Sequence, residues 1–323
     1  MKLEKLFKYS AEELKDVLYV ELINAGYQTD NLHNENMFLY AEGDAPYMLV
    51  AHLDTVHKDR ADIICYSKDG NFIMSPYGIG GDDRCGVFII LGLLKRLNFK
   101  PHIVFTMEEE TGGKGATAFI NYMRSMDTPV LKYIVEYDRK GRKDCVFYQC
   151  DNRDFVDFVE KFGFKEATGT FSDISTIAPY FGVAAVNLSS GYYFPHTNHE
   201  VVCVRDMNNI IDMSVEMFNT ECDGFKYIRK KYTYNNYNNY NSYDRPVTVT
   251  LLPPNVAKIY DYNSNPKYRN NYHGEICVAE DGTIYKYSEF TKAYFKSYAG
   301  CVTWLDGYVP QYDPNNTTTV YTY

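Results

Sequence analysis

The chain has 323 residues and a formal net charge of −9, with 45% hydrophobic and 23% charged residues, a balance that implies a packed core and a length that allows two units. Net negative charge without a basic cluster excludes nucleic acid as an expected partner. The longest apolar stretch, 87–94, falls far short of the roughly 20 residues that cross a bilayer, and the charged N-terminus MKLEKLFKYSAEELK lacks a signal-peptide core, so a cytoplasmic protein with no membrane contact is expected.

Ser10 followed by Glu13 forms a capping box, and Leu14, Val17, Leu18 and Leu22 share one face of the amphipathic helix that it opens. Runs rich in β-formers follow at 37–41, 47–51, 63–67 and 72–74, the last two joined by Lys-Asp-Gly. From residue 84 helix and strand alternate. RCGVFIILGLLKRL, TAFINYMRSM, DFVDFVEKFG and RDMNNIIDMSVEMFNT read as helices; HIVFTM, LKYIVEY and VAAVNLSS read as strands. Strands separated by helices need crossover connections, so residues 1–222 are expected to form an α/β domain with a mostly parallel central sheet and helices on both faces.

Residues 226–245 are almost entirely Lys, Arg, Tyr, Asn and Ser, which reads as a linker, 223–245. Residues 246–323 alternate weakly, as in EICVAEDGTIYKYSEF with its Asp-Gly turn, and are expected to form a small β-rich appendage. Its Tyr-rich surface could bind a protein partner. The eight cysteines form no CxxC pair, which fits reduced thiols.

Acids and histidines recur where the expected strands end, the edge of an open α/β sheet that faces the ligand crevice. His52 and Asp54 close YMLVA on one face of the strand, so Asp54 can orient the His52 ring; a lone His-x-Asp is equally a satisfied histidine at a strand end. Asp82 and Asp83 lie in a glycine-rich turn, either as acids neutralised by a cation or as a helix cap. Glu108, Glu109 and Glu110 follow the apolar HIVFTM, where one carboxylate can bind metal while its neighbour takes a proton from water.

The blocks AHLDTVH, GGDDRCG, FTMEEETGGKGA, VEYDRKG and GYYFPHTNHE, in this order over residues 45–203, resemble the co-catalytic zinc exopeptidases of clan MH, including peptidase T-like enzymes and leucyl-type bacterial aminopeptidases. The resemblance implies that His52 and Asp138 hold a first metal, Glu110 and His196 a second, and that Asp82 bridges both. It implies that Asp54 orients His52, that Glu109 is the catalytic base, and that the peptide after Asp82 is cis, as in relatives. Two divalent ions, Zn2+ with Mn2+ or Co2+ also compatible, would be the cofactors. Many carboxypeptidases and deacylases of the clan insert a lid between the positions matching Asp138 and His196; here only 57 residues separate the two. A lidless aminopeptidase acting on peptides or small amides is therefore expected, with hydrolysis of another amide (an acylated amino acid or a cell-wall peptide) and a non-catalytic binding module as alternatives. His57, His199 and Glu108 fall outside the ligand positions, and Asp173 is either a site contact or a helix cap.

Overall fold

The computed structural model describes residues 2–57 and 60–230 with their side chains and, further along, the backbone of five strands between 248 and 297. The chain opens with α1 (Leu3–Leu6) and α2 (Ala11–Asn24). Ser10 starts α2 as the sequence implies: its hydroxyl accepts from the Glu13 N–H and the Glu13 carboxylate accepts from the Ser10 N–H. Strands β1 (Leu32–Asn34), β2 (Phe38–Ala41) and β3 (Tyr47–His52) follow, then a hairpin of β4 (Cys65–Tyr66) and β5 (Phe72–Met74), and helix α3 (Gly81–Leu94). The alternation continues with β6 (His102–Thr106), α4 (Lys114–Met123), β7 (Tyr133–Arg139), β8 (Asp144–Val146), α5 (Arg153–Glu160), β9 (Lys165–Glu166), α6 (Ile174–Phe181) and β10 (Ala185–Ser189). Short strands β11 (Tyr192–Tyr193) and β12 (Val201–Cys203) lead into α7 (Val204–Asn219).

Eight strands form the main sheet in the order β1-β2-β6-β3-β7-β10-β8-β9. The middle four, β6, β3, β7 and β10, are parallel, while β2 and β8 run antiparallel to their inner neighbours. Every residue of β3 is buried, as expected of a strand covered on both faces. Its side chains alternate between two cores: Tyr47, Leu49 and Ala51 join residues of α2, α3, α5 and α7, whereas Met48 and Val50 join residues of α4 and α6. A second sheet, β11-β12-β5-β4, is antiparallel and pairs Val201 with Met74 and Val202 with Ile73.

Helix α6 and strands β8 and β9 are not read from the sequence as separate elements. Pro179 inside ISTIAPYF and Gly182 just after it punctuate α6 like a loop, and strands of two or three residues are too short for alternation to mark them. The first compact unit runs to Lys231, past the expected boundary at 222, because Lys226 bridges to Val183 and Arg229 to Cys150. Residues 231–245 of the expected linker lie outside the described residues. In the second unit, β13 (Thr248–Val249), β14 (Val256–Asp261), β15 (Glu275–Ala279), β16 (Ile284–Ser288) and β17 (Ala293–Ser297) form an antiparallel sheet in the order β13-β17-β16-β15-β14. The side chains on which a partner surface there would depend lie outside the described residues. Among the described residues no helix is long and apolar enough to cross a membrane.

Phe119 of α4 is fully buried against Phe38 and Tyr40, with ring centroids 5.5 and 5.1 Å away. Phe119→Ala is expected to cost about 3–5 kcal/mol in urea denaturation; a loss under about 1 kcal/mol would mean that α4 does not close this face of the sheet.

Candidate metal centre

Three adjacent parallel strands bring half of the expected site together. β3 ends on His52, β7 on one side of it carries Asp138, and β6 on the other leads into Glu109 and Glu110. The loops are tied at the sheet edge. The Leu53 N–H donates to the Thr106 carbonyl at 2.8 Å, and the two oxygens of Asp54 accept from the N–H groups of Glu109 and Glu110, each at 3.1 Å. Asp54 also stands 3.4 Å from His52 Nδ1, so the carboxylate that anchors the glutamate loop lies beside the histidine. Asp138 is held by its own N–H donating to Asn187 Oδ1 at 2.9 Å and by the Tyr192 hydroxyl donating to its carbonyl at 3.1 Å.

The other half comes from loops flanking the second sheet. After β5 the chain turns through three glycines into Asp82, and the peptide between Asp82 and Asp83 is cis, as the resemblance implies. The two acids divide the roles that the sequence leaves open. Asp83 caps the helix, its Oδ1 accepting from the Gly86 N–H at 2.9 Å. Asp82 faces the histidines: Oδ1 lies 3.2 Å from His52 Nε2, and Oδ2 lies 3.2 Å from His196 Nε2. Around these contacts Asp138 Oδ1 stands 3.4 Å from His52 Nε2, and Glu110 Oε1 stands 3.0 Å from His196 Nε2. His52 is buried and His196 exposed, so one side of the cluster lies in the protein and the other opens to solvent.

The charges do not balance within the protein. Burial pushes Asp138 up to about 7, with Asp82 adding to the shift. Burial pushes Glu109 up to about 8; His52 opposes this, while Asp138, Asp173 and Glu110 add to it. Asp82 is the exception. Burial alone would raise it, but His196 and His52 pull it well below the usual carboxylate range. Burial likewise opposes charge on His52, yet Asp138, Asp54 and Asp82 raise its pKa well above the ordinary value. His196 is raised to about 10 by Asp82 and Glu110.

These donors suit divalent metal ions. Two ligands about 2.0–2.1 Å from a tetrahedral zinc stand about 3.3–3.4 Å apart, and the four nitrogen–oxygen separations here are 3.0–3.4 Å. Potential ligand atoms of His52, Asp82 and Glu110 lie within 4.8 Å of one another, as do those of His52, Asp83 and Asp138. Asp82 reaches both histidines with its two oxygens, whereas one oxygen of Asp83 caps α3. The five expected ligands are thus brought together, with Asp54 and Glu109 beside them.

Other residues placed in doubt by the sequence are also located. Glu108 turns outward and pairs with Lys114, and His199 is exposed. Asp173 makes no side-chain cap on α6; it is buried and accepts from the Thr106 hydroxyl, and burial pushes its pKa up to about 6. Sequence reasoning misses Glu136, Asn187 and Glu200, all buried polar residues. Glu136 lies two positions before Asp138 on the same strand face, and Glu200 ends the block GYYFPHTNHE, so a period-2 reading and the block itself carried signals for them. Nothing local marks Asn187.

No protein-family model and no curated protein matches the sequence. The structure is similar to that of a tripeptidase from Staphylococcus aureus, with a TM-score of 0.54 and 13% identity over 67% of this chain and 95% of the other. It is similar to aminopeptidase PepT from Bacillus cereus (TM-score 0.51, 14% identity, 67% and 96% covered). A TET aminopeptidase from a marine-sediment thaumarchaeote matches with a TM-score of 0.50 and 13% identity over 67% and 94% of the two chains. At such identities the likeness shows the fold alone, an α/β architecture with a mostly parallel central sheet, as the sequence implies.

The raised groups fix the sign of a pH effect. A carboxyl raised from about 4 towards 7 or 8, as in Asp138 and Glu109, stabilises the fold at low pH and loses that contribution as pH rises through this window. His196, raised from 6.5 to about 10, acts in the same direction above pH about 6.5, and lowered Asp82 contributes evenly above pH about 4. Metal binding strengthens as these protons leave. The thermal midpoint of metal-stripped protein is therefore expected to fall between pH about 5 and 8, and the gap to metal-loaded protein to widen; a gap that stays constant would refute the assignment.

Proposed function

We propose that the chain is a metal-dependent peptide hydrolase that releases the N-terminal residue of peptides. In this reading His52 and Asp138 would hold one divalent ion and His196 and Glu110 another, with Asp82, which faces both histidines, contributing to both. The observation that carries it is the Asp82 carboxylate, with one oxygen against each histidine and a further carboxylate beside each. The nitrogen and oxygen donors favour zinc and also accept manganese or cobalt. Bound there, the ions would polarise the scissile carbonyl and acidify the attacking water.

Glu109 is the general base: its carboxylate takes a proton from water as the oxygen–carbon bond forms and returns it to the amine nitrogen as the carbon–nitrogen bond breaks. Asp54 holds the base in place through the Glu109 N–H and keeps the metal-facing nitrogen of His52 aimed at Asp82. Asp54, Asp82, Glu109, Glu110 and Asp138 carry more negative charge than two dications cancel, which favours a substrate that presents a free ammonium. The residues between Asp138 and His196 build β8 to β11, α5 and α6, and β8, β9 and β10 extend the main sheet. That arrangement supports a compact site to which a peptide end has direct access. Six described cysteines are free, four of them buried, which supports a reducing cytoplasmic setting.

Glu109→Gln is expected to retain two metal ions per chain by elemental analysis and to lose cleavage of free-amine peptides by about 10²- to 10⁴-fold, while N-acylated peptides and muropeptides stay intact with either protein. Cleavage of only the blocked amides would assign the site to another amide, and failure of the wild type to take up metal would overturn the reading.

A further inference from the structure

Glu200 is fully buried, and an ionised carboxylate in that position is costly unless donors surround it. Its donors all come from two loops more than a hundred residues upstream. Oε2 accepts from the Gly80 N–H at 2.8 Å and from His57 Nε2 at 3.1 Å, and Oε1 accepts from the Asp82 N–H at 2.9 Å. The Glu200 N–H in turn donates to the Thr197 carbonyl at 3.1 Å, which closes the turn that presents His196. Glu200 thus ties the loop of one histidine directly to the backbone of the acid shared by both.

The surroundings are built for this contact. β5 leads into the Asp82 loop, β12 follows Glu200, and the two strands are paired, so the second sheet sets the separation of the loops. Glycines make room. A Cβ on Gly78 would lie 2.1 Å from the His57 ring, and one on Gly81 would lie 2.7 Å from Val202 and 3.3 Å from Glu200 Oε1. His57 and Glu200 lie outside the five ligands expected at the centre.

We infer that Glu200, backed by His57, is a positioning residue that fixes the Asp82 carboxylate between His52 and His196, so that the two halves of the centre bind metal as one unit. The inference rests on the metal-binding reading of the site. It makes metal affinity, rather than folding, the property most sensitive to the Glu200 carboxylate. Glu200→Gln places an amide NH2 against one of two backbone donors and breaks that bond, while every donor atom proposed to touch metal is unchanged.

The test is calorimetric titration of metal-stripped protein with Zn2+, run beside urea denaturation, for the wild type, Glu200→Gln, His57→Gln and Leu22→Ala. Leu22 is a fully buried residue of α2 and reports on stability loss alone. Glu200→Gln is expected to weaken metal binding by about 10- to 100-fold, His57→Gln by less, and Leu22→Ala not at all despite a lower urea midpoint. Should Glu200→Gln not fold, His57→Gln decides: weaker binding at an unchanged urea midpoint supports the inference, and unchanged binding overturns it. Metal affinity of Glu200→Gln equal to the wild type, or falling only in step with stability as in Leu22→Ala, would also overturn it. A wild type that binds no Zn2+ would remove the metal reading and this inference together.

Discussion

Carboxylates crowd around two imidazoles at the mouth of the main sheet, and their mutual repulsion in a water-poor setting is the constraint that the surrounding structure answers. Such a cluster holds its shape only if each acid is fixed by groups behind it. Asp54 is fixed by two backbone N–H groups, Asp138 by Asn187 and Asp83 by the turn of α3. The sheet order does the rest. With β3 between β6 and β7, residues from three distant parts of the sequence leave the sheet side by side; another order would spread the same ligands along the edge.

The two sheets divide the work. The main sheet presents His52, Asp138 and the glutamate loop, while the small sheet holds together the loops that carry Asp82 and His196. Asp82 belongs to the second group and touches the first, so the cluster is complete only when the two sheets keep a fixed relation. That gives the short strands β5 and β12 a role out of proportion to their length.

Much of this was legible in the sequence because it depends on local pattern. The alternation of helix and strand from residue 84, the capping box at Ser10 and the five blocks all leave a signal within a few residues. What escaped depends on distance or brevity. Without the resemblance, Asp82 and Asp83 each read equally as a cation-bound acid or a helix cap, and only the path of the turn separates them. Glu200 and Asn187 owe their roles to partners 49 to 143 residues away. Residues 223–245 read as a linker from the polar run 226–245, whereas Phe225 packs against Phe155 and Phe158, a long-range contact that composition does not carry.

The run Glu108-Glu109-Glu110 shows how three identical residues are given different environments by one turn. Glu108 has a left-handed backbone, φ 57°, which sends it out to Lys114, and that partner lowers its pKa. Glu110 faces His196 and lies among the candidate metal donors. Glu109 lies between them, partly buried beside Asp138 and Asp173, and burial raises its pKa to about 8. A base must hold a proton loosely enough to pass it on and still attract it from water, and neighbouring dications would draw a raised carboxyl back towards neutrality. In the proposed function that exchange falls to Glu109, whose turn is anchored by the two oxygens of Asp54.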